Sequence, residues 1–287
     1  MSEVFGLDAL RDESALAPPV RLGVVGQPIA HSRSPEMMNA ALAHCEIPLH
    51  YARFEIAPND LKTALLFVAE REFVGLNITI PHKRAVAMLC DELDGFAAAT
   101  GAVNCLRFDR GKLIGRNTDG PGFARAIAEE FGVELGGLRV LLLGAGGGAG
   151  RAIAHECARA RCAKLVLANR DETKARELAQ QLPAEAIRWS DDAFASALAE
   201  VDLVVNATPL GMKDADEPLI DATLLRRDLL VYDIIYEPVR TRLLDDAANA
   251  GARIGNGLSM LLHQGALSFE QWFDRAAPID VMRAALA

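Results

Sequence analysis

Residues 77–83, N-I-T-I-P-H-K, combine a strand-like alternation with side chains that bind ligands and transfer protons. In a strand, Asn77 and Thr79 share one face and the two isoleucines share the other, so one face packs while the second offers an amide and a hydroxyl. The proline predicts a first helical turn, which places Lys83 at the C-terminal edge of a sheet. Ligands bind at that edge in open α/β folds, so we predict that the polar face meets a polar ligand.

A glycine-rich stretch, G-A-G-G-G-A-G over residues 144–150, is the second candidate for chemistry. It has the form G-x-G-x-x-A, with Gly144, Gly146 and Ala149. Gly144 can adopt backbone dihedral angles that are closed to other residues, and Gly146 lets the backbone approach a pyrophosphate. Small residues beyond these two allow helix and strand to pack closely. Because a strand precedes the turn and a helix follows it, the context favours dinucleotide binding over a purely structural turn.

The end of the next predicted strand, L-V-L-A-N-R-D, bears on which dinucleotide binds. An NAD enzyme usually has a carboxylate here for the ribose hydroxyls, whereas a neutral residue followed by arginine suits the 2′-phosphate of NADP. Asn169 and Arg170 therefore favour NADP. Asp171 would repel a phosphate if it pointed the same way, and Lys174 would compensate for that charge. NAD stays open as an alternative.

The elements that must position these residues alternate along the chain. Apolar strand patterns and helix patterns succeed one another from R-L-G-V-V-G at residue 21, which predicts a mainly parallel sheet. A second alternation follows a helix predicted over residues 120–131. Its strands are unmixed apolar runs such as R-V-L-L-L, typical of a doubly wound sheet covered on both faces. We predict an α/β protein of two lobes, preceded by a loose arm over residues 1–19.

The composition limits the classes of partner that the protein is expected to bind. The 287 residues carry a net charge of -9, which argues against nucleic acid or an anionic membrane as a ligand. No apolar run approaches the ~20 residues of a membrane span, and acidic residues stand where a signal peptide would be basic. Five cysteines and six histidines lack metal-ligand spacing, so we predict no metal. Reduced thiols and the missing signal predict a cytoplasmic protein.

Seven motifs in order resemble the shikimate dehydrogenase family over residues 22–275. They are H-S-R-S-P, G-L-N-I-T-I-P-H-K, T-G-A-V-N, N-T-D-G, G-A-G-G-G-A, N-A-T-P-L-G-M and G-L-S-M-L-L-H-Q-G-A. The resemblance implies an α/β substrate-binding domain over residues 20–120 and 258–287. It also implies a Rossmann-type domain that binds NAD(P) over residues 121–257.

The resemblance also implies roles for individual residues. Ser32 and Ser34 would bind the substrate carboxylate, because hydroxyls donate without adding charge. Thr79, Asn104 and Gln264 would hold the ring hydroxyls, with Asn77 and Tyr236 as supports. The residues implied to bind the cofactor are Gly144, Ala145, Gly146, Gly147 and Gly148 at the pyrophosphate, Asn169, Arg170 and Lys174 at the adenosine ribose, and Ile234 and Gly257 at the nicotinamide.

Lys83 and Asp119 match the catalytic pair of the family. The implied reaction is the NADP-dependent, reversible reduction of 3-dehydroshikimate to shikimate, on the route to the aromatic amino acids. Reducing a ketone requires a donor at the developing alkoxide, and an ammonium both stabilises that charge and supplies a proton. Asp119 would orient Lys83 or share the proton.

Departures from the family pattern leave alternatives open. Asn256 and Ser259 replace a common aspartate and a frequent glycine near the nicotinamide side, and Asp171 replaces a frequent threonine. The last of these keeps open a quinate/shikimate dehydrogenase that uses NAD. A non-catalytic dinucleotide-binding regulator and a folate-linked dehydrogenase are further alternatives. We expect a monomer or a homodimer.

Overall fold

The structure, a computed structural model, describes residues 4–12, 16, 19–189, 192–213 and 215–287. The chain divides into two units, which we call unit 1 (residues 1–118 and 264–287) and unit 2 (residues 119–263). These limits lie close to the two domains expected from the sequence. The assignment of substrate to one domain and cofactor to the other stays a prediction.

Unit 1 contains, among its described residues, a seven-stranded sheet in the order β1-β3-β2-β4-β6-β7-β5. The strands are β1 (Val4–Phe5), β2 (Val20–Gly26), β3 (His50–Glu55), β4 (Gly75–Ile78), β5 (Glu92–Leu93), β6 (Cys105–Asp109) and β7 (Lys112–Arg116). Strands β1 to β4 pair in parallel, as the alternating pattern predicts. Strands β6 and β7 add an antiparallel hairpin whose turn places Arg110 and Gly111 at positive φ.

Five helices follow the strands of unit 1 up to residue 118 of the part that the structure describes. They are α1 (Leu7–Arg11), α2 (Ser34–His44), α3 (Leu61–Glu70), α4 (Lys83–Ala87) and α5 (Gly95–Thr100). A buried cluster that includes Phe54, Leu65, Phe73 and Leu106 joins α1 and α3 to the sheet. This core fixes the edge at which β4 and the start of α4 present the N-I-T-I-P-H-K residues.

The N-terminal arm is docked where the structure describes it, so the expectation of a loose arm is wrong there. Val4 and Phe5 pair in parallel with β3, and the Phe5 ring lies 5.9 Å from that of Phe54. Leu10 on α1 is fully buried. The acidic residues that suggested a loose arm, such as Asp8, are exposed, while Phe5, Leu7 and Leu10 pack with the core of unit 1. Residues 1–3, 13–15, 17 and 18 of the predicted arm lie outside the described residues.

The N-I-T-I-P-H-K segment differs in detail from the expected strand and helix. Strand β4 ends at Ile78, and α4 begins at Lys83 rather than at the proline. A cis peptide bond joins Ile80 to Pro81, and a turn in which the N–H of His82 donates to the carbonyl of Thr79 at 2.9 Å precedes the helix. Ile80 is 59% exposed, so it does not share the packing of Ile78.

Unit 2 is a doubly wound parallel sheet of six strands among its described residues, in the order β10-β9-β8-β11-β12-β13. The strands are β8 (Arg139–Leu143), β9 (Lys164–Asn169), β10 (Glu185–Arg188), β11 (Leu203–Asn206), β12 (Leu230–Asp233) and β13 (Arg253–Asn256). The order reverses between β8 and β11, and the crevice at such a switch point binds ligands in this class of fold.

Helices cover both faces of the unit 2 sheet. They are α6 (Asp119–Phe131), α7 (Gly148–Arg159), α8 (Glu172–Ala179), α9 (Asp192–Glu200), α10 (Arg242–Asn249) and the start of the long α11 (Gly257–Phe273). The residues of α11 from 264 onward and α12 (Ile279–Ala284) belong to unit 1. On β8, Val140 and Leu142 join one buried cluster while Leu141 and Leu143 join another. Alternate residues of one strand therefore enter two cores, which explains the unmixed apolar runs. The predicted α/β fold with a doubly wound parallel sheet is confirmed.

Within the described residues, no helix is long and apolar enough to span a lipid bilayer.

Candidate functional site

Asn77 is a fully engaged buried amide on β4 of unit 1. The Tyr51 hydroxyl donates to its Oδ1 at 2.8 Å, and its Nδ2 donates to the Asn104 carbonyl at 3.1 Å and to Ser268 Oγ at 2.9 Å. Both amide hydrogens and the amide oxygen have partners, so the side chain has one fixed orientation. Its position agrees with the supporting role implied by the resemblance, which stays a prediction.

Asn104 joins two further polar side chains of unit 1. Its Oδ1 accepts from the N–H of Thr118 at 2.7 Å, while its Nδ2 contacts Thr118 Oγ1 at 2.9 Å and Gln264 Oε1 at 3.5 Å. Asn104 and Gln264 were both expected to bind ring hydroxyls, and the structure brings them together. Thr118 Oγ1 also lies 3.4 Å from Ser268 Oγ, which closes the network.

The two serines of H-S-R-S-P lie beside this network. The N–H of Ser34 donates to Ser32 Oγ at 3.4 Å, and the Tyr51 hydroxyl hydrogen-bonds the Ser34 side chain. Burial raises the pKa of the Tyr51 phenol well above its ordinary value, so the hydroxyl keeps the proton that it donates to Asn77. The serines are thus linked through one phenol to the amide on β4.

A buried arginine holds the backbone of the segment that carries Ser32 and Ser34. Arg53 on β3 donates through Nε to the Ser32 carbonyl at 2.8 Å, and its Nη2 contacts Glu36 at 2.7 Å. The Arg53 side chain is 6% exposed, and its charge is paired with Glu36, whose side chain is 41% exposed. The sequence analysis did not identify Arg53, Tyr51 or Ser268. The available signal was a polar residue within an apolar strand or helix pattern.

Thr79 and Lys83 follow β4 directly. The N–H of Thr79 donates to the Val25 carbonyl at 2.9 Å, which keeps this residue alongside β2 after β4 has ended. The carbonyl of Lys83 accepts from the N–H of Val103 at 2.9 Å, so the start of α4 is tied to the segment that carries Asn104. Lys83 is half-buried. His82 belongs to the core, where its Nε2 lies 2.8 Å from the Ile56 carbonyl.

Asp119 is the first residue of α6 in unit 2, and it is buried, with 5% exposure. A carboxylate in the first turn of a helix interacts favourably with the free N–H groups there. Lys83 belongs to unit 1 and Asp119 to unit 2, and their pairing stays a prediction. Tyr236 also falls in unit 2, whereas the other residues expected to bind substrate fall in unit 1.

The glycine turn between β8 and α7 has the geometry of a pyrophosphate cradle. Gly144 has φ +85°, and a Cβ on it would lie 2.6 Å from the Thr208 methyl group. The N–H of Gly147 donates to the Gly144 carbonyl at 3.0 Å, and α7 begins at Gly148. A Cβ on Gly150 would collide with that same carbonyl. Gly150 is therefore a small residue beyond Gly146 that allows the helix to pack closely on the turn.

The residues expected near the adenosine ribose lie against this turn. A Cβ on Gly146 would lie 2.7 Å from Asn169 Nδ2 and 2.6 Å from Lys174 Cβ. Lys174 Nζ pairs with Asp171 Oδ2 at 3.6 Å, and Arg170 is exposed. The pair offsets the Asp171 charge that would oppose a 2′-phosphate. Residues 144 and 146–148 of the turn are all glycine, and a Cβ at Gly144 or Gly146 would crowd neighbouring protein atoms, so the residues present fit the glycine-rich turn of a dinucleotide-binding fold.

The nicotinamide side was expected at Ile234 and Gly257, and the structure brings these two together. Gly257 packs so closely on the Ile234 carbonyl that a Cβ there would collide with it. The N–H of Gly257 donates to the Ile235 carbonyl at 3.1 Å, and the N–H of Ile234 donates to the Asn206 carbonyl at 3.0 Å. The backbone after β12 is thus held between β11 and α11.

In the part of the chain that the structure describes, no group of three or more His, Cys, Asp or Glu side chains is placed to hold a metal ion.

Together these features define the class of protein: an α/β dinucleotide-binding oxidoreductase with a second unit rich in buried amides and hydroxyls. Three family descriptions match the chain. They are "Shikimate dehydrogenase substrate binding domain" over residues 24–106, "Shikimate / quinate 5-dehydrogenase" over 125–229 and "Shikimate 5'-dehydrogenase C-terminal domain" over 257–287. The chain belongs to the shikimate dehydrogenase family.

Similar proteins agree with this membership. A relative named shikimate dehydrogenase (NADP(+)) from Methanopyrus kandleri is 44% identical over 273 residues, which cover 92% of this chain and 94% of the relative. Shikimate dehydrogenase from Aquifex aeolicus superposes with a TM-score of 0.88 at 34% identity, covering 94% and 98% of the two chains. The Thermus thermophilus enzyme in complex with NADP(H) and shikimate gives 0.82 at 33% identity, covering 93% and 98%.

Proposed function

We propose that this protein catalyses the NADP-dependent, reversible reduction of 3-dehydroshikimate to shikimate, a step towards the aromatic amino acids. The observation that carries the proposal is the network around Asn104 in unit 1, where neutral amides and hydroxyls are already oriented by one another. A polyhydroxylated ring acid is recognised by such groups, because each donor or acceptor left unpaired by a wrong ligand costs binding energy.

Substrate binding is assigned to unit 1. Ser32 and Ser34 bind the carboxylate, and Thr79, Asn104 and Gln264 bind the ring hydroxyls. Arg53 supports the first of these groups indirectly, because it holds the Ser32 carbonyl and leaves the serine hydroxyls for the ligand. Asn77 supports the second group, because its amide is committed to Tyr51, Asn104 and Ser268.

Bound NADPH supplies the hydride to the carbonyl carbon of the substrate. Lys83 stabilises the oxygen as negative charge develops on it and donates the proton that completes the hydroxyl. Asp119 orients the Lys83 ammonium or shares the proton, and the reverse reaction uses the same groups in the opposite order. Gly144 to Gly148 hold the pyrophosphate, and Asn169, Arg170 and Lys174 hold the adenosine ribose with its 2′-phosphate.

The second candidate function is quinate oxidation with NAD. Asp171 favours it, because a carboxylate after β9 suits a ribose without a 2′-phosphate. The 3.6 Å pair with Lys174 opposes it by offsetting that charge. We further propose a cytoplasmic location and a monomeric or homodimeric state; the five free thiols agree with a reducing compartment.

One assay tests the proposal: oxidation of shikimate and of quinate, each with NADP⁺ and with NAD⁺. We expect the highest kcat/KM for shikimate with NADP⁺. A preference for quinate with NAD⁺ would establish the second candidate instead. Binding of NADPH without turnover of either acid would identify a non-catalytic relative.

A further inference from the structure

Asp233, the last residue of β12, is a fully buried carboxylate that the proposed reaction does not use. Its Oδ1 accepts from Asn206 Nδ2 at 3.0 Å and from the N–H of Ile235 at 3.1 Å. Its Oδ2 accepts from the Thr241 hydroxyl at 2.8 Å. One side chain therefore joins the ends of two strands and the start of a helix.

The first connection leads to the loop after β11, within N-A-T-P-L-G-M. Asn206 is fully buried, and its Nδ2 also donates to the Leu210 carbonyl at 3.1 Å. Its Oδ1 accepts from the N–H of Thr208 at 3.0 Å and from the Thr208 hydroxyl at 2.7 Å. The Thr208 methyl group in turn lies against Gly144 of the glycine turn. The loop after β11 is thus held at its start by Asp233.

The second connection leads to the backbone on which Gly257 packs. Asp233 holds the N–H of Ile235, and the Ile235 carbonyl accepts from Gly257. The third connection, to Thr241, fixes the N-cap of α10, where the same hydroxyl accepts from the N–H of Leu244 at 3.4 Å. The segment from residue 234 to 241 is therefore anchored at both ends by one carboxylate.

We propose that Asp233 is a positioning residue that holds the loops after β11 and β12 in the geometry that binds the nicotinamide half of the cofactor. The inference rests on the proposed function for the assignment of Ile234 and Gly257 to the nicotinamide. It adds a residue that touches neither cofactor nor substrate and acts through Asn206, Thr241 and the Ile235 N–H.

Ionisation of this carboxyl decides how well it holds the loops. Burial raises the pKa of Asp233 to about 6, against the three hydrogen bonds that lower it. The partners on β11, on α10 and in the following backbone are all neutral. Among the charged groups on the surrounding segments, Asp216 accepts from the N–H of Gly211, and Arg240 and Arg242 pair with Asp245 and Asp246; Glu237 and Lys213 are also charged.

Protonation of Asp233 removes its negative charge, so its hydrogen bonds to Asn206, Thr241 and the Ile235 N–H lose their charge assistance. The anchor is consequently stronger above about pH 6 and weaker below it. Asp233→Asn has nearly the same shape and resembles the protonated acid at every pH, which makes it the informative substitution.

The test measures binding of NADPH, and separately of 2′,5′-ADP, to the full chain between about pH 5 and about pH 8. At the upper pH we expect Asp233→Asn to raise the Kd of NADPH by about three- to ten-fold, the loss expected for part of a charge-assisted hydrogen-bond set. At the lower pH the Kd values of the variant and the parent should converge. The affinity for 2′,5′-ADP, which lacks the nicotinamide, should be equal in both proteins at each pH.

Asp221→Asn is the matched control. Asp221 is an exposed carboxylate that caps the short 3-10 helix Ala222–Leu224 through Thr223, so its loss should leave the affinity for both ligands unchanged. If Asp233→Asn leaves the Kd of NADPH unchanged at the upper pH, the proposal is overturned. An equal loss of affinity for 2′,5′-ADP also overturns it, because that outcome indicates general loosening of unit 2.

Thr241→Val, compared with Thr241→Ser, repeats the measurement if Asp233→Asn does not fold. Removing the hydroxyl donor should weaken NADPH binding, whereas the serine should preserve it. Equal affinity in these two variants counts against the proposal. All of these readouts are independent of shikimate turnover, so a failure of the proposed function is recognised separately, by NADPH binding without oxidation of shikimate.

Discussion

Asn104 illustrates how a single buried amide in unit 1 organises the groups that we propose bind the substrate. Its oxygen is fixed by the Thr118 N–H, and its amide nitrogen contacts Thr118 and Gln264. The backbone carbonyl of the same residue accepts from Asn77 and from the N–H of Ile78. Because the groups orient each other before a ligand arrives, little side-chain entropy is lost when one binds.

The catalytic assignment of Lys83 gives the first prediction. Lys83→Ala should lower kcat by about 100- to 10,000-fold, the usual contribution of a positioned proton donor, while the Kd of NADPH changes little. Stopped-flow turnover and NADPH fluorescence measure the two quantities. Arg84→Ala, one position further along α4 and exposed, is the matched control and should keep kcat. A Lys83→Ala variant with near-normal kcat would remove Lys83 from the mechanism.

Individual elements differ in how far the sequence determines them. Strands β8, β9, β11 and β12 of unit 2 were predicted to within two residues, because runs such as R-V-L-L-L are apolar on both faces and glycine or a polar residue ends them. The two edge strands, β10 and β13, were not predicted. The turn at Pro81 was not, since its shape depends on the hydrogen bond between Thr79 and His82 rather than on strand or helix propensity. The docking of α1 was also missed, because five residues carry too weak a periodicity.

The packing of α7 on the glycine turn gives the second prediction. Gly150→Ala places a methyl group against the Gly144 carbonyl, so the helix must shift. We expect a loss of about 1–3 kcal/mol in the free energy of unfolding, typical of overpacking, together with weaker NADPH binding. Urea denaturation and fluorescence titration measure these changes.

Gly147→Ala is the control for that change in stability. A Cβ at Gly147 would lie 3.5 Å from the same carbonyl, an ordinary contact, and its φ of -77° suits alanine. The expected change in unfolding free energy is within about 0.5 kcal/mol. Equal losses in the two alanine variants would show that the collision at Gly150 is relieved without cost.

The docked N-terminal arm gives the third prediction. Leu10 on α1 is fully buried, so Leu10→Ala should lower the free energy of unfolding by about 2–3 kcal/mol through lost burial and a residual cavity. Leu66→Ala on α3, where the leucine is 57% exposed, should cost at most about 0.5 kcal/mol. Both values come from urea denaturation. Equal effects would mean that the arm is not docked in solution.

For the chain as a whole, the sequence predicted the fold class better than it predicted the residues that fix the candidate site. Alternating patterns and a glycine turn predicted two α/β units, and the structure gives each unit its own buried cores. The groups that fix the site, such as Arg53 and Asp233, were not predicted. Their roles depend on partners distant in sequence: Arg53 acts on Ser32, and Asp233 acts on Asn206. No local pattern encodes such pairings.

The division into two units gives the last prediction, measured by amide hydrogen exchange. If the two units unfold independently, a ligand stabilises the unit that binds it by about 2.7 kcal/mol at a hundredfold excess over its Kd, which slows exchange through unfolding of that unit by about 100-fold. NADP⁺ alone should therefore protect the β8, β9 and β11 amides of unit 2, and shikimate alone those of β2 and β4 in unit 1. If NADP⁺ instead protected β2 and β4 while leaving β8 and β9 unchanged, the assignment of cofactor to unit 2 would be wrong. If each ligand protected both units equally, they would unfold as one cooperative body, because the stabilisation would then be shared by the whole chain.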